Sequence, residues 1–220
     1  MVLKWSMLSS TLGYLLIAGG GSTTPLMAQK FFELIGGKDQ PILVMAQMRE
    51  SPEESGPSSV EFLKEHGATN VSLCDKSTFT LSEKRKLAAQ IFSSKGIWLP
   101  GGDQNRVFER LGAEWVQKTF QTARQRGISF FGTSAGAMLM SHPMIGGNND
   151  DKSPKRAEGA GLVPFLVDSH YRDRDRQYRM KFALDNWPVA LGVGLSEGEW
   201  IIWNEKVVES FGKPEWVKGK

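Results

Sequence analysis

The stretch GISFFGTSAGAMLM, residues 127–140, decides the fold class that we expect for this chain. Its first half is a short apolar run, as in a buried strand, and its second half has the small and apolar residues of a helix start. The turn between them, GTSAG (132–136), has the G-x-S-x-G pattern of a nucleophile elbow. Ser134 is therefore a candidate nucleophile, and a helix N-cap in a packed turn is the alternative interpretation.

Short apolar runs of the same kind recur upstream and alternate with segments of helical period. The predicted strands are 14–18, 41–47, 70–74, 96–102 and 127–132, and the predicted helices lie around 25–35, 57–66, 81–94, 104–126 and 135–141. Ser58 or Ser59 is expected near the start of the second helix. This alternation predicts an α/β fold with a mostly parallel central sheet and helices on both faces. In such sheets the ligand site lies beyond the carboxyl ends of the strands.

The pattern changes after residue 141. Residues 142–161 are polar and rich in glycine, so we predict a long loop there, with a composition that suits a lid over substrate. A strand is expected within LVPFLVDSHY (162–171), and a terminal β-hairpin within 189–211. Because no linker marks a second domain, we predict one α/β hydrolytic domain over residues 1–220.

The composition argues against several classes of partner. The chain has 220 residues, of which 40% are hydrophobic, and a formal net charge of +3, which is too small to predict nucleic-acid binding. No run approaches the roughly 20 apolar residues that a membrane span requires. Residues 1–22 superficially resemble a signal peptide, but a strand that enters a glycine-rich turn is the preferred interpretation.

Cysteine usage bears on the compartment and on cofactors. Cys74 is the single cysteine, so an intrachain disulfide is impossible and a cytoplasmic location is expected, although secretion after loss of an earlier signal stays open. We expect Cys74 to be a buried structural thiol. Zinc-type ligand spacing is absent from the sequence, so neither a metal nor an organic cofactor is expected.

A serine nucleophile needs a base, and the chain has three histidines. His66 is expected at the C-terminal end of a helix, where histidines are commonly solvated. His170 directly follows an apolar run, where the edge of the sheet should place it, and it is the preferred base. His142 is the fallback.

The base in turn needs an orienting acid. Sequence spacing alone does not choose between Glu197, Glu199, Asp168 and Asp103. The segment GGDQ (101–104) could present a backbone amide to the same site, but a plain strand-to-helix turn with Asp103 as N-cap explains it equally well.

Three arginines, Arg174, Arg176 and Arg179, follow His170 closely. Guanidinium groups bind carboxylates through two hydrogen bonds at once, so these side chains are candidates for recognising a substrate carboxylate. A solvated charged stretch is the alternative, and the residues alone leave both open.

Five segments taken together resemble one family. They are GGG (19–21), LPGGDQ (99–104), FFGTSAGAMLM (130–140), VDSHYRDRDRQYR (167–179) and GVGLSEGEW (192–200). In order and approximate spacing they are similar to the cyanophycinase and dipeptidase E family of serine peptidases. The resemblance implies a flavodoxin-like, class I glutamine amidotransferase-like sandwich with a C-terminal β-hairpin. It also implies hydrolysis of peptides with aspartate on the acyl side, among them the β-linked Asp-Arg polymer cyanophycin, which is cut to the β-Asp-Arg dipeptide.

The resemblance assigns a role to each matching position. Ser134 corresponds to the nucleophile, His170 to its base and Glu197 to the orienting acid, while Gly102 and Ala135 correspond to the oxyanion-hole amides. The expected substrate-contacting residues are Asp103, Gln104, Asp168, Arg174, Arg176 and Arg179. The implied partner is an acidic or aspartyl peptide, and a homodimer is a further option that no residue pattern here supports.

The chain departs from the family pattern near the expected partners of Ser134. Ser169 replaces a glutamine, Tyr171 a phenylalanine and Ser196 an acid, and Glu199 and Trp200 replace small residues. We therefore expect an intact catalytic skeleton with an altered substrate pocket. The alternatives are an α-aspartyl or isoaspartyl dipeptidase, another serine hydrolase such as an esterase, and an inactive homologue that acts as a binding protein.

Overall fold

A computed structural model describes residues 12–220, so most of the predicted N-terminal segment lies outside the described residues. The strands are β1 Leu15–Ala18, β2 Ile42–Met45, β3 Val71–Cys74, β4 Gly96–Leu99, β5 Ser129–Thr133, β6 Met144–Asn148, β7 Pro154–Ala157, β8 Leu166–Ser169, β9 Leu191–Leu195, β10 Trp200–Trp203, β11 Val207–Phe211 and β12 Glu215–Lys218. The helices are α1 Pro25–Ile35, α2 Pro52–Glu65, α3 Leu81–Ser93, α4 Asn105–Leu111, α5 Ala113–Gln125, α6 Ala135–Met138 and α7 Gln177–Asn186.

The central sheet has seven strands in the order β11-β10-β1-β5-β4-β2-β3. The strands from β1 to β3 in this order are parallel, and β10 and β11 are antiparallel additions at one edge. Successive residues of β1 point to opposite faces, so Leu15 belongs to one buried cluster and Leu16 to the other. The predicted α/β fold, with a mostly parallel sheet between helical layers, is confirmed.

The register of the sheet brings three glycine-rich turns together. Ala18 at the end of β1 pairs with Thr133 at the end of β5, and Leu99 at the end of β4 pairs with Gly132. The segments that follow β1, β4 and β5 therefore leave the sheet side by side, at the edge where parallel α/β sheets bind their ligands.

The second helix begins earlier than predicted. It starts at Pro52 after Ser51, and Pro57 lies inside it, so the expected cap at Ser58 or Ser59 is wrong. Proline is well tolerated in the first helical position because that residue has no amide partner to lose. Pro52 and Pro57 both suit a helix start, and the prediction placed the start at Pro57 instead of Pro52.

The predicted loop over 142–161 is instead a β-hairpin. Strands β6 and β7 pair antiparallel, with a register shift between Ile145 and Gly147. The glycines and charged residues that hide the strand alternation are typical of an irregular, half-exposed ribbon.

The C-terminal third also differs from the predicted pattern. Strands β10 and β11 form the expected hairpin, but β9, also within 189–211, pairs with β8 and β12 in a separate three-stranded sheet. Helix α7 was not predicted, because the polar and charged residues around it, Arg179 and Lys181 among them, mask a short apolar stripe of Met180, Ala183 and Leu184. Within residues 12–220 no helix is long and apolar enough to cross a membrane.

Candidate active site

Ser134 occupies a strained turn between β5 and α6. Its backbone has φ 55° and ψ −114°, a region that a residue with a side chain rarely adopts. A Cβ at Gly132 would overlap the carbonyl of Gly136, so the flanking glycine is needed for the turn. The Ser134 side chain makes no helix-capping hydrogen bond, which favours the nucleophile-elbow interpretation over the N-cap.

His170 connects the serine to an acid. Its Nε2 lies 2.8 Å from Ser134 Oγ, and its Nδ1 lies 2.6 Å from Glu197 Oε1. With the proton on Nδ1, the ring donates to the carboxylate while Nε2 accepts the serine hydroxyl proton. The residue is 7% exposed, and the His170 amide donates to Gly19 O over 2.8 Å. The three side chains form the hydrogen-bonded arrangement that activates a serine.

The other candidate bases and acids have different partners. His66 lies at the C-terminal end of α2, where its ring Nδ1 is hydrogen-bonded to Phe62 O. The His142 ring lies 3.7 Å from the carboxylate of Glu158. Glu199 Oε2 accepts from the Ser196 amide over 2.8 Å. The structure thus resolves the choice that spacing left open, because Glu197 is the acid that contacts the ring.

The turn that carries Glu197 is held at several points. The Gly198 amide donates to Gly20 O, and the carboxylate of Glu199 pairs with Arg172. Asp173 Oδ2 accepts from the Glu197 amide over 2.9 Å, and this bond, with the nearby His170, holds the pKa of Asp173 below its usual value. Arg172 and Asp173 were not among the predicted site residues. Their only sequence signal was their place beside His170.

The glycines after β1 leave room for the catalytic side chains. A Cβ at Gly20 would lie 2.5 Å from Nε2 and Cε1 of His170, and one at Gly21 would lie 2.9 Å from Glu197 Cβ. Both glycines also have positive φ. The GGG segment therefore permits the close approach of the histidine and the acid.

Two backbone amides beside Ser134 are available for an oxyanion. Ala135 opens α6, and Gly102 follows β4 with φ 149°. Neither amide donates a hydrogen bond to another group within residues 12–220. Both amides are therefore free to donate to an oxyanion, and both residues lie beside Ser134, as expected for oxyanion-hole donors.

Two cavities meet at the serine. The larger encloses about 520 Å³ and the smaller about 110 Å³, and both are lined by Ser134, His170 and Gly102. The smaller is also lined by Gln104, Arg174, Arg176 and Arg179. The structure thus brings four of the six expected substrate-contacting residues to the nucleophile.

The remaining two have structural partners instead. Asp168 is 0% exposed and accepts hydrogen bonds from Arg179 and Arg176. It therefore holds these arginines from the protein interior, and its expected contact with substrate is corrected. Asp103 accepts from the amide and the side chain of Asn105 and lines neither cavity at Ser134. These bonds hold the turn before α4, but the N-cap position is occupied by Gln104, so the expected N-cap at Asp103 is wrong.

Cys74 is buried and free, as expected. Burial raises the pKa of its thiol, and Gln47 Nε2 lies 3.1 Å from the sulfur. A thiol that is kept protonated in this way is a structural group.

The chain is similar in sequence to known peptidases. A cyanophycinase from Geminocystis herdmanii is 30% identical over 193 residues, which cover 84% of this chain and 71% of that protein. A cyanophycinase from Trichormus variabilis is 31% identical, and the match covers 76% of this chain and 58% of the relative. A peptidase E from Streptomyces coelicolor is 28% identical over 51% of this chain and 50% of its own length.

Solved structures show the same fold. A peptidase from an acI-B1 Actinobacterium superposes with a TM-score of 0.67 at 19% identity, covering 94% of this chain and 95% of the other. A putative peptidase E from Listeria monocytogenes superposes with a TM-score of 0.66 at 17% identity, covering 94% of this chain and 100% of the other.

The sequence model of peptidase family S51 matches residues 15–211. The chain therefore belongs to peptidase family S51 and is a serine-type peptidase of the group that contains cyanophycinases and peptidase E.

Proposed function

We propose that the protein hydrolyses aspartyl peptide bonds, with Ser134 as nucleophile, His170 as general base and Glu197 as the acid that orients the base. The observation that supports this most directly is the continuous hydrogen-bonded chain, 2.8 Å from Ser134 Oγ to His170 Nε2 and 2.6 Å from Nδ1 to Glu197 Oε1. An intact chain of this kind also argues against an inactive binding protein.

In the first half of the reaction, His170 Nε2 accepts the proton of Ser134 as Oγ attacks the carbonyl carbon. Glu197 stabilises the imidazolium that forms. The amides of Gly102 and Ala135 donate to the oxyanion, and each such donor contributes about 3 kcal/mol to transition-state stabilisation. The imidazolium then gives its proton to the leaving amine, and an acyl-enzyme remains on Ser134. Water, deprotonated by His170, hydrolyses it in the second half.

The preference for an aspartyl residue follows from the charge of the smaller cavity. Arg176 and Arg179 share a single buried carboxylate, that of Asp168, and Arg174 joins no ion pair within residues 12–220. The cavity wall therefore keeps net positive charge beside Ser134. A volume of about 110 Å³ suits a short acidic side chain such as aspartate.

The linkage is the finer part of the proposal. The first relatives are cyanophycinases, so we propose that β-Asp-Arg substrates are cleaved, with an α-aspartyl or isoaspartyl dipeptidase as the second candidate. The experiment is a panel of cyanophycin, β-Asp-Arg and α-Asp-X peptides, assayed with the wild type and Ser134→Ala. We expect hydrolysis of an aspartyl substrate by the wild type and none by Ser134→Ala. Equal turnover by both proteins would remove Ser134 from the mechanism.

A further inference from the structure

We propose that the larger cavity at Ser134 holds the leaving-group residue of the substrate and that Arg49 binds a carboxylate on that residue. The inference rests on the proposed function, because it takes Ser134 as the attacking group. It adds a second anion-binding position, separate from Arg174, Arg176 and Arg179.

The place of the larger cavity makes it one of two sides of a substrate. Apart from the three residues that it shares with the smaller cavity and their neighbours Pro100, Gly101 and Thr133, it is lined by different elements: the turn after β1, the turn after β2, α2 and β4. A peptide whose scissile carbonyl lies at Ser134 extends into both cavities. The smaller one fits the aspartyl residue, so the cavity of about 520 Å³ is left for the residue after the scissile bond.

Arg49 supplies an unneutralised cation to this cavity. It takes part in none of the ion pairs formed by residues 12–220, and its Nε is buried without an acceptor among them. Its backbone is fixed, since the amide donates to Ala46 O and the carbonyl accepts from Arg110. By contrast, neighbouring Arg106 faces Glu50 at 3.7 Å. The backbone of Arg49 is therefore held in place, while its charge is not neutralised by an ion pair among residues 12–220.

Trp98 is a second residue of this cavity with an unpaired buried donor. It lines the same cavity, is 3% exposed, and its indole Nε1 has no acceptor within residues 12–220. Buried donors normally have partners. The indoles of Trp200 and Trp203 also have no acceptor among the described residues, but of the three only Trp98 lines the cavity at Ser134. A carboxylate only accepts hydrogen bonds and also neutralises a guanidinium, so it fits these donors better than a neutral group does.

The carboxylate could come from the free C-terminus of a dipeptide or from an acidic side chain, and matched peptides separate the two. The set is aspartyl-glutamine, aspartyl-glutamine amide and aspartyl-glutamate amide, each made with the α- and the β-aspartyl linkage. We would measure kcat/KM for the wild type, Arg49→Gln, Arg49→Lys and the control Arg106→Gln, and confirm folding by thermal unfolding. Calorimetry with Ser134→Ala, alone and combined with Arg49→Gln, measures binding without turnover.

We expect the wild type and Arg106→Gln to prefer a carboxylate-bearing peptide over aspartyl-glutamine amide. Arg49→Gln should reduce this ratio of kcat/KM values by about 10- to 100-fold, the usual size of a hydrogen bond to a charged group, and Arg49→Lys should retain part of it. The preferred peptide identifies the source of the carboxylate.

Two outcomes separate this inference from the proposed function. If the peptides are hydrolysed with a ratio that Arg49→Gln leaves unchanged, Arg49 is not the carboxylate site and the proposed function stands. If none is hydrolysed, but Ser134→Ala binds them with a carboxylate preference that Arg49→Gln removes, the proposed function fails and the site at Arg49 stands. If the peptides are neither hydrolysed nor bound, both the proposed function and the site at Arg49 are overturned.

Discussion

Asp173 and Glu197 are joined by a hydrogen bond of 2.9 Å, from the backbone amide of Glu197 to the carboxylate of Asp173. The acid that contacts the His170 ring is therefore hydrogen-bonded, through its backbone, to a residue three positions after that histidine. Glu197 itself is 46% exposed, so its position is not set by burial. We infer that Asp173 is a positioning residue for the catalytic acid.

Removing this support should lower the rate more than it lowers substrate affinity. We expect Asp173→Ala to reduce kcat by about tenfold with little change in KM, because a misplaced acid weakens general-base catalysis. Asp173→Asn keeps an acceptor oxygen and should restore much of the rate. Steady-state kinetics measure both, with Asp175→Asn as a nearby control for loss of charge. An Asp173→Ala enzyme with wild-type kcat would contradict the positioning role.

The same hydrogen bond predicts a pH dependence of stability. Because the folded-state pKa of Asp173 is lowered, its contribution is present above the unfolded-state pKa and is lost as the pH falls through the folded-state value. The melting temperature of the wild type should therefore exceed that of Asp173→Asn at pH 7, and the gap should close as the medium becomes more acidic than the usual aspartate range. A gap that is constant down to pH 2 would show that ionisation of Asp173 does not stabilise the fold.

Ser134 and His170 could be predicted from the sequence because each lies in a short motif at the end of a strand. Glu197 was one of four candidate acids on spacing alone, and only the family resemblance favoured it. The supporting residues could not be predicted in the same way, since Arg172 and Glu199 meet across a turn whose geometry no local pattern encodes. Arg49 lies in an ordinary turn after β2, and only the cavity reveals it. The single domain, the cytoplasmic location and the homodimer stay predictions.

Asp168 offers a direct test of the difference between a supporting and a substrate-contacting role. Its carboxylate is wholly buried and accepts from Arg179 Nε over 2.6 Å. Breaking a buried ion pair from one side typically costs about 3–5 kcal/mol, because the remaining charge is left without a partner. We expect Asp168→Asn to lower the free energy of unfolding substantially, as measured by urea denaturation. Asp185→Asn, which removes an exposed pair with Lys181, serves as the control and should have a small effect.

A stable Asp168→Asn protein that had lost only its affinity for aspartyl substrates would contradict this assignment. Asp168 would then contact substrate directly, as the family resemblance implied. A loss of stability together with weaker substrate binding is the expected pattern, since Arg176 and Arg179 need Asp168 to hold them at the cavity.

Gly20 and Gly36 form a matched pair for testing the close approach at the histidine. Both have positive φ, 106° and 90°, so alanine should strain the backbone at either position and lower stability by about 1 kcal/mol. Only at Gly20 would the new Cβ meet another group, the His170 imidazole at 2.5 Å, whereas at Gly36 it meets nothing within 4 Å. We expect Gly20→Ala to lower kcat/KM by at least about 100-fold, because a displacement of about 1 Å at a catalytic group has that effect. Gly36→Ala should keep wild-type activity, although its melting temperature should be lowered to about that of Gly20→Ala. Equal activity in the two variants would show that the GGG segment does not set the position of His170.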